Sequence, residues 1–504
     1  MPERRRRSTS FAAALVVSAM AAMWPVATLA QAGLSHSEDA TLPPAGLLRI
    51  RSVIAWTRWD ELFSATGPRP LGAYLTADSL GPQQVPALGS IQTLVADASA
   101  QPFSLTLGHS RLDATAREEI IPIAFEYGIS RRLAVSFMTP IVRRRVASLF
   151  RLDTTGVGAN VGPNPQRTDI GSAQANQLVQ TQFESAAQAL QNKLQSCGAN
   201  PAGSGCAALL ARQAEAQALI QSSQSFAGTM ASLYGSIASD GAAFVPILQS
   251  AAQQAIDQRI AAFNAQYQDL LGTGSALLSA TPRGAGGPAG VAEFRDYTVG
   301  ELGRDSLVTQ ERLRIGDIEV GIKALVLDRP RTSTRRDALM LSVASSVRLP
   351  TGSRKRASQI VDLSSGGGSV VVDTRAFLDA RRARFGLFAA AQFAASVRDM
   401  DTSTVFVRNK RWTELQLAPR WHLSEPLSFF AAYSLRSTDA LGSDQLVGGG
   451  ISYSTLAQYG PNNRTLPIEM RFTHLEAVAG DAGRPKFFRD QIELRLYLRP
   501  PRLR

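Results

Sequence analysis

The chain has 504 residues, with 53 Lys and Arg against 41 Asp and Glu and a formal net charge of +12. That length exceeds one ordinary core, so the chain needs several domains or one large closed sheet. Its basic residues are dispersed rather than gathered into one patch, which argues against a nucleic-acid surface and suits anionic lipid or an anionic solute.

The first residues set the compartment. Arg4, Arg5, Arg6 and Arg7 precede an apolar run from Phe11 to Val26, which closes with Ala27-Thr28-Leu29-Ala30 before Gln31. This is a secretory signal pattern, so residues 1–30 are expected to be removed by cleavage after Ala30. Loss of four Arg and one Glu leaves a net charge of +9. No apolar run of 18 residues follows residue 30, which excludes a helical membrane span on hydrophobic thickness. A membrane protein with this sequence would have to be a β-barrel.

After an N-terminal linker (31–46), the chain shows period-two alternation in segments of 10 to 15 residues. Twelve strands are expected, at about 47–58, 115–128, 132–149, 310–327, 338–349, 369–380, 384–398, 411–423, 426–438, 444–456, 466–478 and 487–499. In the last, Ile492, Leu494, Leu496 and Leu498 share one face, and Gln491, Glu493, Arg495 and Tyr497 share the other. One such strand is equally at home in a soluble sandwich. Repetition, with connections that tend to alternate short (Ser424-Glu425-Pro426) and long (Asp399 to Arg411), favours an all-β transmembrane barrel. Trp56, Trp59, Tyr127, Trp412, Trp421, Tyr433 and Tyr453 lie near strand ends and are read as interfacial girdles.

Two long connections interrupt the barrel, both on the expected extracellular side. Residues 59–114 form a loop with a short helix near Val85 to Ala98, between strands 1–3 of the 47–149 segment. Residues 150–309 form an α-helical insertion, after which 310–499 supplies strands 4–12 and 500–504 is a tail. Within the insertion, Val179, Phe183, Ala186, Leu190 and Leu194 recur at helical spacing, as do Ile256, Ile260, Phe263, Tyr267 and Leu270. Further helices are expected at 207–222 and 226–236, with flexible connectors at 154–169 and 272–292. Cys197 and Cys206, the only cysteines, are expected to form a local disulfide in an exported chain.

Chemistry is sparse. His36, His109, His422 and His474 have no second metal ligand at helical or strand spacing, and no nucleophile elbow, phosphate loop or paired-His zinc motif occurs. The chain is therefore read as a non-enzyme without cofactor or metal. Inward polar positions carry both signs: Arg49, Arg51, Glu126, Glu319, Lys323, Glu414, Arg420, Glu469, Arg471, Glu493 and Arg495. Such residues line a solute path and set its selectivity, or they form cross-strand ion pairs that fill a narrow lumen. Both readings stay open at this point.

Gly316-Asp317-Ile318-Glu319-Val320-Gly321-Ile322-Lys323, followed by Val347-Arg348-Leu349-Pro350-Thr351-Gly352-Ser353, resembles the outer-membrane family labelled after the meta-pathway of phenol degradation. Glu126-Tyr127-Gly128-Ile129-Ser130-Arg131-Arg132-Leu133 fits the same style, and the resemblance covers about 115–150 and 310–499. It implies an outer-membrane barrel for uptake of hydrophobic or aromatic compounds, by way of outer loops and a lumen or sideways into the bilayer; Gly/Ser-rich strands at Gly366 to Gly368 and Gly448 to Gly450, expected to be weakly paired, point to the same sideways step. Expected partners are outer-membrane lipid and lipopolysaccharide, the barrel assembly machinery and a small hydrophobic solute. The chain departs from the family in its helical insertion and in ending Pro500-Pro501-Arg502-Leu503-Arg504, where Tyr497 or Phe488 stands in for a terminal aromatic. Two rivals remain: a plugged barrel anchor displaying a helical binding module, and a soluble β-sandwich with helices.

Overall fold

The computed structural model describes residues 39–155, 158–274, 276–303, 307–329, 337–353, 363–399, 411–439, 442–456 and 467–498. The expected signal segment 1–30, the linker up to residue 38 and the tail 500–504 lie outside the described residues. The chain divides into two compact units, one of residues 1–72, 113–149 and 307–504, the other of residues 73–112 and 150–306. The segment 73–112 thus groups with the insertion, whereas the sequence reading assigned it to a loop of the barrel.

Among the described residues the first unit is built on twelve barrel strands, with the two-residue strand Arg69–Pro70 beside the end of the first: β1 (Leu48–Leu62), β2 (His109–Gly128), β3 (Leu133–Asp153), β4 in two segments (Gln310–Ile315 and Ile318–Arg329), β5 (Asp337–Leu349), β6 (Ser369–Arg382), β7 (Phe385–Asp399), β8 (Arg411–His422), β9 (Leu427–Thr438), β10 (Gly442–Ser454), β11 (Ile468–Gly480) and β12 (Pro485–Leu498). Each is hydrogen-bonded to the next, and β12 pairs antiparallel with β1 from Leu48↔Leu498 to Leu62↔Pro485. This pairing closes the antiparallel barrel and removes the open edge of the sheet. Each expected strand lies on one of these. The largest shift is at β2, which starts six residues earlier because Arg111 to Ala114 continue the extended chain.

Alternation puts the apolar residues outside. Val320, Ile322, Leu415, Leu417, Ile451, Phe472 and Ile492 are between 42% and 55% exposed, whereas their neighbours Glu319, Lys323, Glu414, Gln416, Arg471 and Glu493 are buried. A water-soluble barrel or sandwich has the opposite polarity, because buried ions are costly and broad exposed apolar surface is rare. The closed ring with this inverted polarity excludes the soluble sandwich.

Three expectations are corrected. Trp59 and Trp412 are not girdle residues: they sit on inner-face positions and are 5% and 3% exposed, Trp59 packing with Leu62, Phe63 and Phe487, and Trp412 with Val371 and Ala394. The connections do not alternate strictly, since β9 to β10 and β11 to β12 turn within three and four residues at the end where longer links were expected. Gly448, Gly449 and Gly450 are not weakly paired: each has partners on both β9 and β11. Glycine is required there by close approach, because a Cβ on Gly450 would lie 2.0 Å from the Phe472 carbonyl oxygen and 2.6 Å from Phe430 Cζ.

Strand β4 breaks opposite Pro140. Its two segments pair with Ile141–Val146 and Leu133–Met138 of β3, leaving Gly316 and Asp317 out of the ladder, although Gly316 N–H still donates to the Pro140 carbonyl at 2.7 Å. Among the described residues the Gln310–Ile315 segment has β3 as its only strand neighbour, because β5 stops at Leu349, opposite Ile318. The gap is bridged by residues 351–353 and 363–367. The Asp317 carboxylate accepts the Gly352 and Gly367 N–H groups at 2.9 and 2.7 Å, Thr351 Oγ1 donates to the Gly316 carbonyl at 3.2 Å, and Ser365 Oγ donates to the Ile315 carbonyl at 2.8 Å.

The second unit is helical: α1 (Leu88–Ser99), α2 (Ile170–Ala199), α3 (Cys206–Ala211), α4 (Gln213–Tyr234), α5 (Ala251–Leu271) and α6 (Val291–Gly300). Asp169 starts α2 by accepting the Gly171 and Ser172 N–H groups at 3.1 and 2.8 Å, and the Ser172 hydroxyl, donating at 2.6 Å, holds its carboxyl below the usual range together with these bonds. The two apolar stripes meet through Phe183 of α2, Phe226 of α4 and Phe263 of α5, with ring centroids 5.3 to 5.7 Å apart. Residues 213–234 form one helix rather than the two expected on either side of 223–225. Ser223 explains it, for its hydroxyl is buried against the Tyr267 hydroxyl at 2.5 Å instead of breaking the helix. Cys197 and Cys206 are disulfide-bonded, closing the turn between α2 and α3. The expected connector 154–169 is partly ordered, with Val161–Pro163 pairing with Phe244–Pro246 as a two-stranded sheet. No helix among the described residues is long and apolar enough to cross a membrane.

Candidate functional site

The inner face of the barrel is the only surface on which the sequence placed functional residues, and all eleven point inward. Arg49, Arg51, Glu126, Glu319, Lys323, Glu414, Arg471, Glu493 and Arg495 are buried, while Arg420 and Glu469 keep some exposure. The reason is positional: each occupies the strand face opposite the apolar belt, and closure turns that face onto the lumen.

They meet in ion pairs rather than in an open ring. Arg49 donates two bonds to Glu126, one of them at 3.1 Å from Nε, and Arg51 Nε lies 3.7 Å from the other oxygen of the same carboxylate. Glu319 is shared by Arg348 at 3.2 Å and Arg375 at 2.8 Å, and Arg375 also lies 2.8 Å from Asp373. Arg495 contacts Glu493 at 2.8 Å and Glu469 at 3.3 Å, and the Tyr497 hydroxyl donates to Glu469 at 2.8 Å. Glu414 accepts from Gln416 at 2.6 Å and from Ser434 at 2.9 Å. Multiple hydrogen bonds to each ion are what make buried charge tolerable.

Several members of this lining were absent from the sequence-derived set. Glu118 with Arg144, Asp373, Arg375, Arg348, and the Arg436–Asp444–Arg484 cluster are all buried inside. Most occupy the same period-two face and were legible by register alone.

Asp39 was not legible. It precedes every strand, yet it is 6% exposed inside the barrel, its Oδ2 2.5 Å from Arg495 Nη1 and its backbone carbonyl accepting from Lys323 Nζ at 2.5 Å. Next to it Ala40 is fully buried among Phe377, Phe388, Phe430 and Leu475, all inner-face residues. Cations sit over these rings: Lys323 Nζ is 4.6 Å from Phe377, and the Arg420 guanidinium is 5.4 Å from Phe388. What remains open beside Asp39, Lys323 and Phe377 is a cavity of about 50 Å³. At this level the lumen therefore joins a cationic wall to an aromatic one, with the N-terminal segment between them.

No arrangement with metal-site geometry occurs among the described residues. His422 lies on the inner face of β8, while His474 faces outward on β11 with Nδ1 2.7 Å from Asp490 Oδ1.

No family model matches the chain, and no curated protein matches it. Among solved structures, it is similar to an outer membrane channel from Pseudomonas putida F1, at 9% identity with 92% of this chain and 100% of that chain covered and a TM-score of 0.41. It is also similar to the Pseudomonas putida toluene transporter TodX, at 10% identity, coverage of 95% and 92%, and a TM-score of 0.24. A Pseudomonas aeruginosa FadL homologue matches at 7% identity, with 90% of each chain covered and a TM-score of 0.24. Likeness at these scores bears no weight; the barrel stands on its own strand pairing.

Proposed function

We propose that the protein is a passive outer-membrane channel for small hydrophobic or aromatic solutes, exported by its N-terminal signal and anchored by the apolar belt in contact with outer-membrane lipid and lipopolysaccharide. The observation that carries this reading is the inverted polarity of a closed ring, Leu, Ile, Val and Phe outside and paired ions inside. Assembly would pass through the barrel assembly machinery, with Tyr497 or Phe488 near the C-terminus as the strand signal.

The solute is taken up through the lumen and leaves either along it or sideways into the bilayer. Support for a sideways exit lies in β4, whose Gln310–Ile315 segment has, among the described residues, a strand neighbour on one side and is joined to residues 351–353 and 363–367 by the Asp317, Thr351 and Ser365 bonds. Side-chain clasps of this kind open at less cost than a strand ladder. The resemblance to the phenol meta-pathway family points to the same solute class.

Uptake must be measured in whole cells, because apolar solutes cross bare lipid bilayers unaided. Initial uptake of radiolabelled toluene is expected to fall in cells lacking the protein and to return on complementation. Equal rates in the two strains would refute the channel. Deletion of residues 170–272 is expected to leave uptake in place, whereas loss of surface binding alone would favour an anchor displaying the helical unit.

A further inference from the structure

We infer that the lumen holds a binding site for a small apolar monocarboxylate, occupied in this structure by Asp39 and Ala40 of the chain itself; this rests on the channel reading and names its solute class. The Asp39 side chain and the Ala40 methyl present the two halves of such a molecule. The carboxylate meets Arg495, with Lys323 on the adjoining backbone carbonyl, and the methyl is enclosed by Phe377, Phe388 and Phe430. Arg49 completes the cradle, donating to Thr41 Oγ1 at 3.0 Å and to the Thr41 carbonyl at 3.3 Å.

Charge makes an occupant necessary. Around the carboxylate, among the described residues, stand Arg49, Arg51, Lys323, Arg420, Arg471 and Arg495, and besides Asp39 they face Glu126, Asp379, Glu469 and Glu493. Without Asp39 the buried group carries two more positive than negative charges. An uncompensated buried charge is strongly destabilising, so another anion takes the place when Asp39 leaves. Arg495 offers the carboxylate one charge-assisted bond, through Nη1, its Nε being held by Glu493 at 2.8 Å, and a bond of that kind favours an ionised carboxylate over a neutral hydroxyl. The aromatic wall selects an apolar body over a hydrated one.

The occupant is able to leave. Residues 39–42 belong to no strand and are followed by Pro43 and Pro44, and the arm is tied to the barrel at its base by Gly46 N–H to the Gly128 carbonyl at 2.8 Å and Gly128 N–H to the Leu47 carbonyl at 3.1 Å. Displacing Asp39 therefore unpairs no ladder bond. As a tethered competitor it acts at an effective concentration of order millimolar. It weakens free carboxylates accordingly and keeps the lumen filled in their absence.

The test is calorimetric titration of the purified full-length protein with sodium benzoate and, separately, benzyl alcohol, for the wild type, Asp39→Ala and Arg495→Gln. Expected are benzoate binding at least tenfold tighter than benzyl alcohol in the wild type, a further gain of at least tenfold in Asp39→Ala, and loss of the preference in Arg495→Gln. Equal affinity for the two probes, or no gain on removing Asp39, would overturn the site. Should Asp39→Ala not fold, Asp39→Asn keeps the shape without the charge and is read the same way. Toluene uptake separates this inference from the channel reading. Uptake that depends on the protein without benzoate preference sinks the site alone; benzoate preference without such uptake sinks the channel alone.

Discussion

Leu415→Arg places a charge at the middle of the outer belt. Leu415 is 53% exposed and pairs with Ala391 of β7 and Leu435 of β9, both also apolar, so it has no polar neighbour within its row. On a water-exposed surface such a half-exposed position tolerates substitution to within about 0.5 kcal/mol. On a lipid-facing strand, Arg near the bilayer midplane costs about 2–4 kcal/mol, and loss of the leucine's own contacts adds about 1 kcal/mol, half the value for a fully buried Leu. A total of about 3–5 kcal/mol follows, a reduction of at least a hundredfold in the folding equilibrium constant. The assay is equilibrium refolding from guanidinium into phospholipid vesicles, followed by tryptophan fluorescence. A loss under about 1 kcal/mol would refute the assignment of this face to lipid.

Glu126→Gln removes the shared partner of Arg49 and Arg51 and is expected to cost about 3–5 kcal/mol in the same assay; a neutral effect would mean that water already solvates these arginines. Asp317→Ala removes the clasp on Gly352 and Gly367 and is expected to raise toluene uptake while leaving the unheated gel band in place, and unchanged uptake would remove the sideways exit. Replacing Cys197 and Cys206 by Ser opens a link of sequence separation 9 and is expected to destabilise the helical unit by about 2–3 kcal/mol, read from helical ellipticity on heating. Burial raises the Asp257 carboxyl against the opposing bond from Gln253, so its ionisation disfavours the folded helical unit. Stability from this group is complete below the unfolded carboxylate range and falls as pH rises toward the raised folded value, so Asp257→Asn is expected to raise the melting temperature at pH 7 and to have no effect near pH 3.

The barrel was legible because one physical rule, alternation against lipid, repeats over every strand. Ile492, Leu494 and Leu496 with Glu493 and Arg495 set the register of β12, and that register placed every proposed lumen residue inward. Trp59 and Trp412 were legible by the same rule, since they share strand parity with Arg49 and Arg51 and with Glu414 and Gln416. Other local exceptions were illegible because tertiary packing decides them. The β4 break depends on Pro140 across the ladder and on Gly352 and Gly367 far along the chain. Asp39 lies in a segment without periodicity, so nothing local marks it as a lumen residue.

Electrophoresis of the full-length protein from carbonate-washed outer membranes, run unheated beside a boiled sample, tests the membrane barrel most directly. A faster unheated band that shifts on boiling is the expected result. Recovery in the carbonate supernatant with a single mobility would contradict the barrel and, with it, the channel.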